Sequence, residues 1–484
     1  MNLYFSEFFN ISDDAVEEHG AFNVSLVVDL PLFVDPFLLF NSKKLEYQAL
    51  HDGIIRYLVY LREQSVSSRP NCSKLKHLYH FSEVNQTWLG FSESDNRGRG
   101  LGNKFAVALS GSLHDLFANF GAEKVTVSSH LEKLCLIRAG VGRDMISDFT
   151  TNLIKRFLCE FTEDFARKYL HPDQCSRFAV SRVDFNERTG VWSPATFFLP
   201  KHNRDYVLLT PKDILTKDEN WINKSDLYRE YEDIPVAIGD AELRDRIDAY
   251  FQSVLPEQAN VKEENEAKRK TILRFPAIID YFIRSKEDRG ADATNLSAAK
   301  VRESESLYIR QFGQMVAALA DSTFYNVPLN SRDAALEKAL HLKDLIENKG
   351  CHRLFYVDGK PLRRESDLQI AYRLVWHHGP FNLSREVNDG RGPVDFEVSR
   401  GSWDKTLVEM KLASNSQLER NIEKQVDVYK AASDAKHAIK VIIYFTEQEE
   451  DRVMRILRRL RIENSEDIVL IDARDDNKPS GSKA

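Results

Sequence analysis

"GPVDFEVSRGSWDKTLVEMKLA", residues 392–413, reads as two short apolar strands joined by a turn. The turn is expected at Gly401-Ser402-Trp403, a three-residue loop containing glycine, which is a common hairpin connection. Side chains alternate across a strand, so Glu409 and Lys411 share a face with Leu407, while Val408, Met410 and Leu412 point the other way. With that turn Asp395 falls opposite Glu409, at a Cβ separation of roughly 5 Å; a bulge would shift the register by one. Two carboxylates that close repel unless one is protonated or a cation lies between them. A hard ion such as Mg²⁺ or Mn²⁺ meets that need. A lysine one pleat away could orient or deprotonate a water, or stabilise charge building on a phosphate. The plainer alternative is a Glu409–Lys411 pair on a solvated strand face. The apolar character of both strands, and of "AIKVIIYF" (438–445), argues against it.

The surrounding chain supplies an order of elements. "RRESDLQIAYRLVWHHG" (363–379) has helical periodicity and "SREVND" (384–389) reads as a strand before the loop "GRG" (390–392). After the hairpin come a helix over 416–435, a strand over 438–445, a helix over 447–462 and a last strand, "DIVLIDA" (467–473). "GPVDF" followed by "VEMKL", within that order, resembles the PD-(D/E)xK nuclease superfamily, whose fold is that of restriction endonucleases. Asp395 lies two residues after Pro393 rather than next to it, a mild departure, and Glu409-Met410-Lys411 fits fully. The resemblance spans about residues 351–472. It implies that Asp395 and Glu409 ligate Mg²⁺ or Mn²⁺, with Glu365 on the first core helix completing the metal set, and that Lys411 positions or activates water. It also implies site roles for Gln425 and Tyr429, which lie i,i+4 on the helix after the lysine strand and would support Lys411 or contact a phosphate.

Each accessory position has a simpler reading beside it. Glu365 is also a first-turn helix acid suited to the dipole, and Gln425 and Tyr429 could be helix surface. Glu386 and Asp389 precede the "GRG" loop, where turn acids are common. His377 and His378 suit the carbonyls at a helix end. Arg452, Arg455 and Arg459 share one helix face; Arg455 and Arg459 are candidates for phosphate contact, or for a solvated basic face paired with Glu447, Glu449 and Glu450.

The chain has 484 residues, which is more than one ordinary core. Residues 1–235 read as a mixed α/β recognition or regulatory region, 236–350 as a helical connecting region, 351–474 as the nuclease-like domain and 475–484 as a disordered tail. The fold class expected is α/β: an α+β N-terminal region, a helical middle and a C-terminal restriction-endonuclease-like αβββαβ core. In the N-terminal region, "FNVSLVVDLPLFVDPFLLF" (22–40) reads as β-rich, "KVTVSSH" (124–130) and "KLCLIRAG" (133–140) as strands, and 142–170 as one long helix capped by Ser147 or Asp148. "NRGRGLGNKF" (96–105) matches neither a phosphate-binding loop nor a dinucleotide fingerprint.

Charge is uneven along the chain. Residues 351–484 hold 23 basic and 23 acidic side chains, leaving 44 against 51 of the totals of 67 and 74 to residues 1–350. A neutral C-terminal unit can still present a local basic face, so a nucleic-acid substrate is not excluded by a net charge of -7. The five cysteines form no CxxC pair, which suits reduced thiols. No signal peptide or membrane span is expected, which suits a cytoplasmic protein. The reading that follows is a Mg²⁺-dependent endonuclease, acting on DNA ahead of RNA, with an N-terminal region that binds a partner protein or small signal. Homodimerisation would serve the cutting of both duplex strands. Superfamily nucleases tethered to large additional regions are common in prokaryotic anti-phage systems, a setting the resemblance implies by analogy. The alternatives are a catalytically silent binding module, or an effector held inactive until a signal binds the N-terminal half.

Overall fold

Helices and small sheets alternate through the computed structural model, which describes residues 3–67, 75–90, 106, 109, 110, 113, 120–133, 136, 142–320, 330–375, 382–387, 394–400, 404–423 and 437–478. The class is mixed α/β, with a mixed sheet at the C-terminal end. Leu45–Ser67 (α1) is helical, as its periodicity predicts.

The N-terminal strands are fewer than the sequence suggests. Within 22–40 only Phe33–Val34 is a strand, paired antiparallel with Leu215–Thr216. Asp35 then turns the chain into a short helix, Pro36–Phe40: its carboxylate accepts the Phe37 N–H at 3.1 Å, and Pro36 occupies the first helical position. Residues 124–128 are bends rather than a strand. There the Val127 and Ser128 amides donate to the Glu287 carboxylate at 2.8–3.0 Å, so a side chain takes the place of a neighbouring strand. Within 133–140, the described residues Lys133 and Leu136 are helical.

The long helix expected over 142–170 breaks at Ile154 into Arg143–Leu153 (α2) and Lys155–Tyr169 (α3). Gly142, not Ser147 or Asp148, stands at its start. Ser147 lies inside α2, and its hydroxyl accepts the Val34 N–H at 2.9 Å, a tertiary contact rather than a cap. Cys175–Asn186 (β1) and Val191–His202 (β2) then form an antiparallel ribbon with Asp205–Tyr206 as a third, short strand.

The middle of the chain is helical. Ala241–Val254 (α4), Val261–Arg274 (α5), Ala277–Asp288 (α6) and Gly290–Ser304 (α7) lead through a π-helical turn, Glu305–Gln311, into Phe312–Ala320 (α8). Ser331–Asn348 (α9) follows, and Gly350, at φ +77°, takes the left-handed conformation that ends it.

The C-terminal elements appear in the order read from the sequence. They are helix Glu365–Val375 (α10), strands Asn382–Val387 (β3), Val394–Arg400 (β4) and Asp404–Leu412 (β5), a helix described over 418–423, strand His437–Tyr444 (β6), helix Glu447–Leu460 (α11) and strand Ile468–Asp472 (β7). The sheet order is β7-β6-β5-β4-β3. β3, β4 and β5 run antiparallel to their neighbours in that trio, while β5, β6 and β7 are parallel.

Alternation sorts the sheet into two faces. Phe396, Val398, Val408, Met410, Leu412, Ile439, Val441 and Ile443 belong to an apolar core that runs from Leu3 to Ala473. α9 and α10 pack on that side. On the opposite face Ile442 and Tyr444 meet Val453, Ile456 and Leu457 of α11 and Leu418 and Ile422. Ser331 fixes α9 to the sheet: its hydroxyl bonds Asp404 at 2.5 Å and Thr406 at 2.8 Å. Beyond β7, the Asn477 and Lys478 side chains return to Asp472. No helix among the described residues is long and apolar enough to cross a membrane.

Candidate active site

The hairpin register is the one a three-residue turn gives. Asp404 pairs with Arg400 and Val408 with Phe396, one step short of Asp395 and Glu409. From there a side chain continues the ladder, because the Met410 N–H donates to Asp395 Oδ2 at 2.6 Å. Asp395 therefore lies across the end of the β4–β5 pairing, with Glu409 and Lys411 on the strand beside it.

Lys411 is the centre of the cluster. Its ammonium lies 3.4 Å from Glu409, 3.4 Å from Glu365 and 3.6 Å from Asp395. Asp395, Glu409 and Lys411 are only 8%, 7% and 8% exposed, which rules out a pair on a solvated strand face. Glu365 opens α10 and joins the cluster from a separate element. Its carboxylate also accepts the Leu412 N–H at 3.3 Å and the Asn415 side-chain amide at 2.7 Å. One turn along the same helix, Gln369 donates to Asp395 Oδ1 at 2.8 Å.

Electrostatics follow from that crowding. Burial pushes the Asp395 carboxyl up, and Lys411 and the Met410 N–H only partly offset it. Burial likewise raises Glu409; Lys411 counters it and Asp395 adds to it. Burial alone would lower the Lys411 ammonium, but Asp395, Glu409 and Glu365 outweigh it and hold its pKa above the ordinary lysine value. Lys411 is thus a fixed cation rather than a base in this arrangement. One ammonium faces three carboxylates, so the cluster has room for further positive charge. Lys440 stands beside Glu409 in the parallel register, with its own ammonium donating to the Asn421 and Ile422 carbonyls at 3.0 and 2.8 Å.

The donor chemistry suits a hard divalent ion, since all three acids are carboxylates. Among the described residues no three His, Cys, Asp or Glu side chains close around a common point at ligating distance. The carboxylates share the Lys411 ammonium instead, so ion binding would exchange with the Lys411 contacts.

The remaining sequence candidates fall elsewhere. Gln425 and Tyr429 lie outside the described residues, as do Asp389, His377, His378 and the Glu386 side chain. Arg455 donates to the Asp451 carbonyl of its own helix at 3.3 Å, and Arg459 pairs with Glu419. Among the described residues neither contacts Asp395, Glu409 or Lys411. Arg452 does structural duty, donating to the Ala413 and Asn415 carbonyls at 2.9 and 2.8 Å and so fixing the turn after β5. Sequence reasoning missed Gln369 and Asn415. The i,i+4 spacing of Gln369 from Glu365 was the available signal for the first; Asn415, in a polar turn, carried none.

A family model described as a domain of unknown function (DUF8370) matches residues 10–223, and a second, also described as a domain of unknown function (DUF8371), matches residues 331–447. The second match runs from the start of α9 past the end of β6; it contains Glu365, Asp395, Glu409, Lys411, Gln425 and Tyr429 and leaves Arg455 and Arg459 outside. No curated protein and no solved structure matches the chain.

Proposed function

We propose that the chain is a metal-dependent nuclease of the PD-(D/E)xK type, hydrolysing phosphodiester bonds in DNA ahead of RNA. The observation that carries this reading is the convergence of Asp395, Glu409 and Glu365 on one buried ammonium at the end of a mixed sheet. Asp395, Glu409 and Glu365 would hold Mg²⁺ or Mn²⁺. Such an ion, when bound, supplies Lewis-acid activation of water and phosphate. Lys411, kept protonated by its neighbours, contributes positive charge toward the phosphate and a donor to orient water. Gln369 fixes Asp395, and Asn415 fixes Glu365. Gln425 and Tyr429 are assigned to support of Lys411 or to phosphate contact on the superfamily resemblance alone. Anti-phage defence is the setting proposed, by the same analogy.

The effector reading, in which activity waits for a signal, has an observation of its own. Arg364, next to Glu365, pairs with Asp218 of the N-terminal half. A signal acting on that half thus has a route to the first turn of α10.

The test is incubation of the purified chain with plasmid and Mg²⁺, beside Lys411→Ala and Asp395→Ala. Cutting by the parent and not by either variant is expected. Cutting that persists in both variants would remove the assignment.

A further inference from the structure

Behind α10, on the side away from Lys411, lies a cavity of about 420 Å³. Its lining comes from three separate stretches of the chain: Lys217 and Asp218, then Lys300 and Glu303 of α7, then Val357, Asp358, residues 360–364 and Asp367. Five lining side chains are basic and four acidic. Lys217 is buried, at 2% exposure, and so is Asp367, whereas Lys360, Arg363 and Arg364 are exposed at the rim.

The acids inside are already engaged. Lys217 pairs with Glu303 at 3.1 Å, and Lys300 and Arg364 both pair with Asp218. Asp367 accepts the Tyr308 hydroxyl at 2.6 Å. Among the described residues Lys360 and Arg363 make no ion pair; Asp358 is the one acid exposed beside them, so the rim keeps a net positive charge.

We propose that this cavity binds a small anion carrying two or more phosphate groups. Lysine and arginine are the side chains that recognise phosphate, and the volume is within the range of small-molecule sites. A multiply charged ligand is needed because it must replace Asp218 and Glu303 as the partner of Lys217, Lys300 and Arg364. A nucleic-acid duplex cannot enter a space of this size to reach the buried Lys217, so the ligand is not the substrate's backbone.

The position gives the site a consequence. Asp367 faces the cavity, while Glu365 and Gln369, two residues to either side on the same helix, face Lys411 and Asp395. At 3.6 residues per turn those two faces are roughly opposite. An anion that draws Arg364 away from Asp218 therefore acts on the helix turn that holds Glu365. The binding itself stands whether or not the Lys411 cluster cuts nucleic acid.

The experiment is calorimetric titration of the full chain with inorganic pyrophosphate in Mg²⁺-free buffer, with hydrogen exchange of the α10 amides followed in parallel. Saturable one-site binding is expected, with slower exchange over residues 365–372. Charge reversal at the exposed rim, Lys360→Glu with Arg363→Glu, should weaken binding at least tenfold, and Lys360→Ala with Arg363→Ala should weaken it less. Absence of binding at millimolar pyrophosphate would overturn the proposal, as would equal binding by the charge-reversed variant. Orthophosphate binding as tightly as pyrophosphate would overturn the requirement for two phosphate groups. Displacement of pyrophosphate by a short DNA duplex would assign the rim to nucleic acid instead.

Discussion

The Lys411 ammonium lies 3.4 Å from the Glu365 carboxylate, across a sequence separation of 46 residues. This contact ties the first turn of α10 to the strand that carries Glu409. Without Lys411 the buried carboxylates of Asp395 and Glu409 and the half-buried one of Glu365 would face one another without a cation between them. Replacement by Met should therefore cost about 3–5 kcal/mol at neutral pH, the usual penalty for stranding buried charge. Urea unfolding measures it. Added Mg²⁺ should restore part of the loss, and a cost under about 1 kcal/mol would mean that the carboxylates do not depend on Lys411.

Gln369 touches no reacting group in the proposed reaction; it holds Asp395. Gln369→Leu should weaken Mn²⁺ binding by about 10–100-fold, as loss of an outer-shell partner does elsewhere. The helix should remain folded by circular dichroism. Mn²⁺ titration followed by electron paramagnetic resonance reads the affinity directly, and unchanged affinity would remove Gln369 from the site.

Two arginines of α11 should behave differently. Arg452 donates to two backbone carbonyls that close the turn after β5, so Arg452→Ala should lower stability by roughly 1.5–3 kcal/mol. Arg459 makes an exposed pair with Glu419, and Arg459→Ala should change stability by less than about 1 kcal/mol. Thermal unfolding of the two variants side by side checks the contrast. Equal destabilisation would contradict it.

The N-terminal half contains its own acid sensitivity. His51 is buried against Phe40 and His130, and burial, with His130 adding, pulls its pKa from 6.5 down to about 3. A histidine lowered in the folded state contributes its full stability above the unfolded pKa of 6.5 and loses it as pH falls toward 3. At pH 5 the loss is about 2 kcal/mol. His51→Phe should flatten the stability profile between pH 6.5 and 5. A profile that keeps its slope in the variant would assign the acid sensitivity to other groups.

The C-terminal hairpin was legible because two signals agreed. Apolar alternation marked both strands, and the glycine-containing loop between them set a register that the ladder follows from Asp404↔Arg400 to Val408↔Phe396. The place of Glu365 beside Lys411 came from the superfamily resemblance, since a first-turn acid has an equally good local explanation. The N-terminal strands misled for the opposite reason. Apolar, β-branched "KVTV" looks like a strand, yet its neighbouring amides are taken by Glu287, a side chain 160 residues away. Ser147 looked like a helix cap because a cap is a local device, whereas its hydroxyl serves Val34 from another segment. Long-range side-chain-to-backbone bonds leave no periodic trace in a sequence.

α9 bears on how this unit can travel. Its Ser331 is bound to Asp404 and Thr406 of β5, and its apolar side covers the same sheet face as α10. A gene fragment beginning at Cys351 would lose that cover and leave Val408, Ile439 and Val441 open to solvent. Recombination that transplants the sheet must therefore carry the coding sequence from about Ser331 onward, and proteins that share the unit should share that breakpoint.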